Sequence, residues 1–200
     1  MKSNIFRTYA ALLAVVFGLT LASHAQTSPS AFENVDIKNF GQMDERYFRG
    51  GQPEPDDYVS LKDLGVKTVI DLRNDPTDYE KAEVEKLGMT YVNIPMSGWK
   101  TPRDRDIKRF LDLLEDPSTG TVYVHCKAGM HRTGVTGAIY RMEKYGWDYD
   151  KAYKEMRNYK FTSGIVHGAL KTYVKDYARK MPEPNDRASV RTASAGTADH

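Results

Sequence analysis

The sequence predicts an α/β domain with a mainly parallel central sheet flanked by helices. Short β-branched strands alternate with amphipathic helices along the chain, and glycines follow several of the predicted helices. A loop rich in small and basic residues joins the last predicted strand directly to a helix. The 200 residues are 40% hydrophobic, which is enough for the core of one domain and excludes a wholly disordered chain.

The first half of the domain contains three predicted strands and two predicted helices. The strands are β-branched or are followed at once by a turn sequence, and they are predicted at residues 47–49, 66–72 and 89–94. The helices each end before a glycine, which is the usual residue just beyond a helix C-terminus, and they are predicted at residues 56–64 and 79–87.

The second half contains one strand and four helices. A helix is predicted at residues 102–114, with Thr101 as its cap and Pro102 at its first position, because its apolar residues recur at helical spacing. Residues 121–125 (TVYVH) form a β-branched strand, and the helix at residues 132–145 ends before a glycine. The last two helices are predicted at residues 150–159 and 163–180.

The N-terminus has the pattern of a secretory signal peptide. Lys2 and Arg7 form a short basic region, an apolar run covers residues 9–22, and Ser23-His24-Ala25 places small residues where a signal peptidase reads. The run is shorter than the roughly 20 apolar residues of a membrane span. We therefore expect residues 1–25 to be removed and the mature protein to be exported, to a periplasm or outside the cell, with an uncleaved anchor as the alternative.

Composition divides the rest of the chain into three parts. Residues 26–39 are polar and are predicted to be a linker, and residues 40–180 are predicted to be the single domain. Residues 181–200 have almost no large apolar side chains, which predicts a disordered tail.

Charge and cysteine content exclude several classes of protein. The formal net charge is +2, but Lys2 and Arg7 lie in the predicted signal peptide, so the mature chain carries 27 basic and 27 acidic residues. A neutral chain is not expected to bind nucleic acid or to associate stably with a membrane after cleavage. Cys126 is the single cysteine, so these residues contain no internal disulfide, and an exported lone thiol is either reactive or inertly buried.

The loop after residues 121–125 carries the candidate chemistry. Ligands bind beyond the carboxyl ends of strands in α/β sheets, and loop N–H groups next to a helix N-terminus bind anions. Such a positive field lowers the pKa of a cysteine, so Cys126 is predicted to be a thiolate nucleophile, with Thr133 donating to its sulfur. The residues predicted to hold an oxyanion are Lys127, Ala128, Gly129, Met130, His131 and Arg132.

The segment His125–Gly134 (HCKAGMHRTG) resembles the HCxxGxxRTG signature of the cysteine-dependent protein tyrosine and dual-specificity phosphatases. Residues 47–53 (YFRGGQP) and 64–73 (LGVKTVIDLR) also resemble segments of bacterial and plant or fungal atypical dual-specificity phosphatases. The resemblance covers most of residues 40–177. It implies a phosphatase without metal or cofactor, in which Cys126 attacks phosphorus, a phosphocysteine forms and Arg132 holds the phosphoryl oxygens.

One part of the family pattern is missing. The family usually has an aspartate about thirty residues before the cysteine that protonates the leaving oxygen, yet residues 91–101 (YVNIPMSGWKT) contain no Asp or Glu. Asp104 is the candidate general acid from this region, although it also stands where a carboxylate favours a helix start. The alternatives are that the acid is absent or comes from a carboxylate after residues 66–73, namely Asp75, Asp78 or Glu80.

The remaining polar and aromatic candidates give weaker signals. His125 and His131 lack the Cys/His cluster of a zinc site, so no metal is predicted there, and His125 is expected to hydrogen-bond within the base of the loop. Trp99, in the window that lacks the acid, is a candidate for stacking on a substrate. His167 is expected to be a surface or helix-packing residue.

The sequence leaves more than one function open. The partner is expected to be a phosphorylated protein or a phosphorylated small molecule, with phosphotyrosine or phosphoserine and phosphothreonine as the first choice. Lys127 and His131 also suit an inositol polyphosphate or phosphoinositide. The missing acid allows a pseudophosphatase that binds phosphate without turnover, and a sulfurtransferase is the alternative that fits the Arg-Thr-Gly helix start least well.

Overall fold

A computed structural model describes residues 32, 34–164 and 166–182. The predicted signal peptide at residues 1–25, the first part of the predicted linker and the tail from residue 183 lie outside the described residues. In the described part of the chain, no helix combines the length and the apolar character that crossing a membrane requires.

Five strands form one sheet in the order β1-β2-β5-β3-β4. The β1 strand pairs antiparallel with β2, whereas all the other neighbours are parallel, which confirms the predicted mainly parallel α/β fold. The strands are β1 Gly41–Asp44, β2 Tyr47–Gly50, β3 Val66–Arg73, β4 Thr90–Met96 and β5 Thr121–His125.

Six helices of the described chain cover the two faces of the sheet. They are α1 Asp57–Asp63, α2 Glu80–Lys86, α3 Asp104–Glu115, α4 Arg132–Tyr145, α5 Tyr149–Asn158 and α6 Gly168–Lys180, with a 3₁₀ turn at Pro117–Thr119. The observed α4 has the predicted bounds, and Gly146 caps its C-terminus. The φ of Gly146 is 65°, the left-handed conformation that glycine adopts most readily.

Alternating side chains of the strands divide the core into two clusters. Val122 and Val124 of β5 pack on the face covered by α3 to α6, whereas Tyr123 between them packs on the face covered by α1 and α2. The same alternation places Tyr47 and Phe48 of β2 on opposite faces. Because both faces are covered, the inner strands have almost continuous burial rather than a polar face.

The end of the predicted linker is part of the folded domain. Ile37 is 5% exposed, and Phe32 and Val35 pack against the cluster on the α1 and α2 face. The Lys38 carbonyl also accepts a hydrogen bond of 2.7 Å from the Gly51 amide. The few apolar residues of this polar segment therefore attach the second part of the predicted linker to the domain.

The predicted start of α3 is wrong. The helix begins at Asp104, and Arg103, in extended conformation, takes the cap position instead of Thr101. The Arg103 carbonyl accepts hydrogen bonds from the backbone amides of Asp106 and Ile107. The side chain of Arg103 donates from Nε to the Asp106 carboxylate at 2.6 Å. This Arg–Asp pair within the first turn fixes the helix start, whereas Pro102 lies outside the helix.

Candidate active site

Cys126 lies at the carboxyl end of β5, between β2 and β3 in the sheet. The residues that follow it form a loop that leads directly into α4, which begins at Arg132. The Cys126 side chain is 3% exposed and belongs to the core cluster on the α4 face. The central position of β5 therefore places the thiol under the loop and at the edge where ligands of parallel sheets bind.

Close packing against β2 fixes the shape of the loop from residue 126 to residue 131. Gly129 has φ of 66°, and a Cβ at this position would lie 2.4 Å from the Gly50 carbonyl carbon, so only glycine fits. The Gly129 carbonyl accepts from Asn39 Nδ2 at 2.8 Å, and the Lys127 carbonyl accepts from the Gln52 amide at 3.3 Å. These two carbonyls are bonded to neighbouring segments, while the amides of Ala128 and Thr133 interact with the Cys126 sulfur.

The surroundings of Cys126 favour its thiolate. Burial opposes ionisation, but interactions with the Thr133 hydroxyl, the amides of Thr133 and Ala128 and the Arg132 charge outweigh it and lower the pKa of Cys126 below its ordinary value. The Thr133 hydroxyl is fully buried and has no oxygen or nitrogen partner among the described residues. It is therefore available to the sulfur, and its role as a donor stays a prediction.

Arg132 extends from the start of α4 towards the carboxyl ends of β3 and β4. Its Nη1 lies 3.2 Å from the Met96 carbonyl, 3.1 Å from Asn74 Oδ1 and 3.9 Å from the Asp75 carboxylate. Its side chain is 12% exposed. The guanidinium thus lies at the open side of the loop, which we call its mouth, where the Met96 carbonyl, the Asn74 amide oxygen and the Asp75 carboxylate hold it weakly. The oxygens of a phosphoryl group are stronger acceptors and can replace these contacts.

His131 and His167 form a stacked pair beside this mouth. Their ring centroids are 3.5 Å apart, His131 Nε2 lies 3.1 Å from Thr162 Oγ1, and His167 Nδ1 lies 2.8 Å from the Gly98 carbonyl. Burial, with the charge of His167, lowers the pKa of His131 to about 4. The sequence signal for His167 was too weak to indicate this bridge between the loop and the segment at residue 98.

The remaining predicted binding residues differ in exposure. Lys127 is exposed, Ala128 and Met130 are half-buried, and Gly129 is buried. Trp99 is 61% exposed and follows the Gly98 carbonyl that contacts His167, so its ring is open to solvent near the loop. Lys127 and Trp99 are therefore free to meet a substrate, but their roles stay predictions.

The candidate acids occupy different places. Asp104 Oδ1 accepts from Tyr173 at 2.9 Å, in a groove formed with α6, and its described contacts do not include the residues of the loop. Asp75 is exposed and lies at Arg132, whereas Asp78 is exposed without such a contact among the described residues. Glu80 is fully buried and does not reach the mouth.

Two buried carboxylates and a histidine lie on the opposite face of the sheet from the Cys126 side chain. His125 Nε2 is 2.8 Å from Glu80 Oε1 and 3.9 Å from Asp71 Oδ1, and all three side chains are fully buried. The sequence predicts that His125 bonds within the base of the loop, whereas in the structure its Nε2 contacts Glu80 of α2. The three groups offer ligand atoms within 4.8 Å of one another, but the ion-pair contact already joins two of them.

The protonation of this cluster follows from its burial and its charges. Burial favours neutral His125, but the interaction with Glu80 outweighs it and raises the pKa of His125 above 6.5. Burial also opposes ionisation of Glu80, yet His125 lowers the pKa of Glu80 below 4.5. Burial raises the pKa of Asp71 above 3.8. The attraction between His125 and Glu80 therefore favours a charged pair at this position. Beside it, Asp71 accepts hydrogen bonds from the Arg73 amide at 2.8 Å and the Tyr91 hydroxyl at 3.0 Å.

A buried cysteine whose ionised form is favoured by the amides of its loop, with an arginine at the following helix start, defines the active site of a cysteine-dependent phosphatase. Residues 23–174 match a family model described as a DSP-PTPase phosphatase fused to NAD⁺ kinase. The chain belongs to this family of phosphatases, and the match confirms the class of enzyme that the sequence predicts.

Relatives with curated names and solved structures agree with this class. The dual specificity protein phosphatase TpbA of Pseudomonas aeruginosa is 28% identical over 155 residues, covering 73% of this chain and 70% of TpbA. Inositol diphosphatase DSP4 of Arabidopsis thaliana is 29% identical over 121 residues, covering 54% of this chain and 57% of DSP4. The core catalytic domain of the PP-IP phosphatase SIW14 from S. cerevisiae shares the fold, with a TM-score of 0.64, 17% identity and coverage of 81% and 96%.

Replacing Glu80 with Gln is expected to lower the free energy of unfolding by about 2 kcal/mol near pH 6. Because the folded-state pKa of His125 is raised, its contribution is complete below 6.5 and is lost as the pH rises through the folded-state value. Because the pKa of Glu80 is lowered, its contribution is complete above 4.5 and is lost as the pH falls through the folded-state value.

Urea unfolding of wild type and Glu80→Gln across this pH range measures the effect. The difference between the two proteins is expected to be largest between pH 4.5 and 6.5, the ordinary values of the two groups. Glu83→Gln on the same helix removes a carboxylate whose partner is Lys86 at the surface and serves as the control. A difference that does not change with pH would contradict the charged pair.

Proposed function

We propose that this phosphatase hydrolyses phosphomonoesters of protein tyrosine, serine or threonine through a phosphocysteine intermediate. The single observation that carries the proposal is the Cys126 environment, a buried sulfur whose pKa is lowered by the amides of Ala128 and Thr133, the Thr133 hydroxyl and the Arg132 charge. This arrangement favours both a thiolate nucleophile and an oxyanion above it. Among the structural neighbours, TpbA is known in complex with pTyr, at 25% identity and a TM-score of 0.60.

In the first step, the Cys126 thiolate attacks the phosphorus of the bound ester. The S–P bond forms while the bond from phosphorus to the ester oxygen breaks, and the leaving oxygen takes a proton from a carboxylic acid at the mouth. The loop amides and Arg132 hold the three equatorial oxygens as charge moves towards the leaving group. The products of this step are the free alcohol or phenol and a phosphocysteine.

In the second step, water attacks the phosphorus of the phosphocysteine. The S–P bond breaks, the sulfur leaves as a thiolate, and the proton of the attacking water passes to the carboxylate that acted as the acid. The Thr133 hydroxyl stabilises the departing thiolate because it has no other oxygen or nitrogen partner in the described residues. Inorganic phosphate is released, and the acid is protonated again for the next cycle.

The Cys126→Ser variant is expected to lose hydrolysis of para-nitrophenyl phosphate by at least about 1,000-fold, because a neutral hydroxyl replaces the thiolate. Vanadate binding is expected to persist, since the amides and Arg132 remain. Initial rates and vanadate titrations of both proteins are the measurements. Activity that survives the substitution would refute the thiolate mechanism, and a wild type that binds vanadate without turnover would support a pseudophosphatase.

We further propose Asp75 as the acid of both steps. It is 64% exposed, and it lies 3.9 Å from the Arg132 guanidinium that would hold the phosphoryl group. Burial acts in the opposite direction, but Arg73 and Arg132 together outweigh it and hold the pKa of free Asp75 below 3.8. A bound phosphate dianion neutralises Arg132 and places negative charge beside Asp75, and both effects raise the pKa of Asp75 towards that of a proton donor.

The Asp75→Asn variant is expected to slow hydrolysis of phenyl phosphate by about 100-fold or more, and that of para-nitrophenyl phosphate much less, because nitrophenolate leaves without protonation. Asp104→Asn is the matched control, since Tyr173 holds that carboxylate in the groove against α6. Burst and steady-state rates of both variants on both substrates decide between Asp75 and Asp104 as the acid. If Asp104→Asn lost hydrolysis of phenyl phosphate selectively and Asp75→Asn did not, Asp104 would be the acid instead.

A second candidate substrate class is an inositol polyphosphate. Relatives named as an inositol diphosphatase and a PP-IP phosphatase support it, together with the exposed Lys127 and the lack of a carboxylate in residues 91–101. A phosphate leaving from another phosphate needs less help from an acid than an alcohol does. Clustered phosphates would also gain from Lys127 beside the loop.

The two substrate classes are separated by comparing kcat/KM for a phosphotyrosine peptide and for an inositol pyrophosphate, whose leaving group is a phosphate. The protein substrate is expected to be preferred, and Lys127→Ala is expected to change its hydrolysis by less than about threefold. A preference for the inositol compound that Lys127→Ala removes would transfer the assignment to the second class.

We also propose that the enzyme works after export. The support is the basic start, the apolar run at residues 9–22 and the small residues at Ser23 and Ala25. N-terminal sequencing of the protein recovered from outside the cytoplasm is expected to begin at Gln26. Recovery of the full-length chain from the cytoplasm would contradict export.

A further inference from the structure

A buried arginine lies beneath the catalytic loop. Arg49 of β2 is in register with Val124 of β5, and Cys126 follows Val124 by two residues, so the side chains of Arg49 and Cys126 lie on the same face of the sheet. Arg49 is 1% exposed. A Cβ on Gly137 of α4 would lie 3.6 Å from Arg49 Nη1, which places the guanidinium between the sheet and α4.

The guanidinium is bonded to the loop itself. Its Nη2 donates to the Gly129 carbonyl, the group that also accepts from Asn39 Nδ2 at 2.8 Å. Its other side lies against the ring of Tyr159, with 4.0 Å between the guanidinium carbon and the ring centroid. Two donors thus keep the Gly129 carbonyl turned away from the concave side of the loop, where a carbonyl oxygen would repel an oxyanion.

Among the residues that the structure describes, Arg49 has no carboxylate partner within ion-pair distance. Its Nε also lacks a hydrogen-bond partner there. An unpaired buried cation is strongly unfavourable, and an arginine does not deprotonate to avoid this cost. Burial lowers the pKa of Arg49, and negative charge on neighbours, including Cys126, acts against it. Glu155 also acts on Arg49 but is paired with Arg141 at 2.8 Å, which leaves the Cys126 thiolate as the anion that Arg49 can stabilise.

We propose that Arg49 is a positioning residue of the catalytic centre, which stabilises the Cys126 thiolate from below and fixes the Gly129 carbonyl outside the oxyanion site. This inference rests on the proposed thiolate mechanism. It assigns to the arginine of the YFRGGQP segment a role in the reaction, although the side chain does not reach the mouth. The charge acts on the nucleophile, and the hydrogen bond acts on the loop.

The charge role is tested by the rate at which iodoacetamide alkylates the protein as a function of pH. Because Cys126 is the single cysteine, this rate reports on its thiolate alone. The alkylation midpoint of Arg49→Met is expected to rise by about one pH unit or more, since a buried cation is lost. The midpoint of Arg49→Lys is expected to stay near that of wild type, because a charge remains.

The hydrogen-bond role is tested by vanadate binding to the same proteins. Both Arg49→Met and Arg49→Lys are expected to bind vanadate about tenfold more weakly, because the planar fork that holds the Gly129 carbonyl is lost. Arg141→Met is the matched control. Arg141 is also largely buried, but it pairs with Glu155 at 2.8 Å and stacks on Trp147, away from the loop.

The outcomes separate this inference from a general loss of stability. Arg141→Met is expected to lower the thermal midpoint while leaving alkylation and vanadate binding unchanged, so a merely structural Arg49 would behave in the same way and overturn the proposal. If Arg49→Met does not fold, Arg49→Lys decides: wild-type vanadate binding in it overturns the proposal, and weaker binding with a wild-type alkylation midpoint supports it. A wild type without turnover, but with an alkylation midpoint that depends on Arg49, would remove the phosphatase mechanism and leave the Arg49–Cys126 pairing in place.

Discussion

The thiol of Cys126 lies at a position that is almost fully buried, and the groups around it favour its ionised form. Desolvation alone would keep the thiol protonated. The opposing contributions come from the amides of Ala128 and Thr133, the Thr133 hydroxyl and the Arg132 charge. Each of these groups belongs to the loop or to the first turn of α4, so the chain from residue 126 to residue 133 must adopt one conformation for any of them to act.

That conformation depends on the neighbours of the loop. A loop that turns several amides towards one point must direct its carbonyls elsewhere, and buried carbonyls need donors. The Lys127 and Gly129 carbonyls find them in Gln52 and Asn39, on segments that precede and follow β2. The parallel β2–β5 pair therefore does more than build the sheet, because its register aligns the donors with the loop.

Much of the fold is predictable from local patterns in the sequence. The four predicted strands and α4 were found because β-branched runs, helical spacing and terminal glycines are local signals, and β5 and α4 have the predicted bounds. The β1 strand was missed because Gly41–Asp44 (GQMD) has no apolar alternation and forms only by pairing with β2. The cap of α3 was wrong because a side-chain pair between Arg103 and Asp106 outweighs the preferences of Thr101 and Pro102.

The candidate site also has a part that is predictable from the sequence and a part that is not. The contiguous motif from Cys126 to Thr133 is visible in the sequence, since its residues are neighbours in the chain. The contacts of Glu80 with His125, of His167 with His131 and of Asp75 with Arg132 join residues separated by dozens of positions. No periodicity or short motif encodes such pairs, because the packing of α2, α6 and the ends of the strands brings them together.

The solitary cysteine also determines how the enzyme would respond to oxidants. A thiolate oxidises readily to a sulfenic acid, which many proteins rescue by forming a disulfide with a nearby second thiol. These 200 residues contain no second cysteine, so Cys126 cannot form a disulfide within them. Recovery of an oxidised Cys126 would need a small-molecule thiol or another protein, and that reductant would have to reach a sulfur that is 3% exposed.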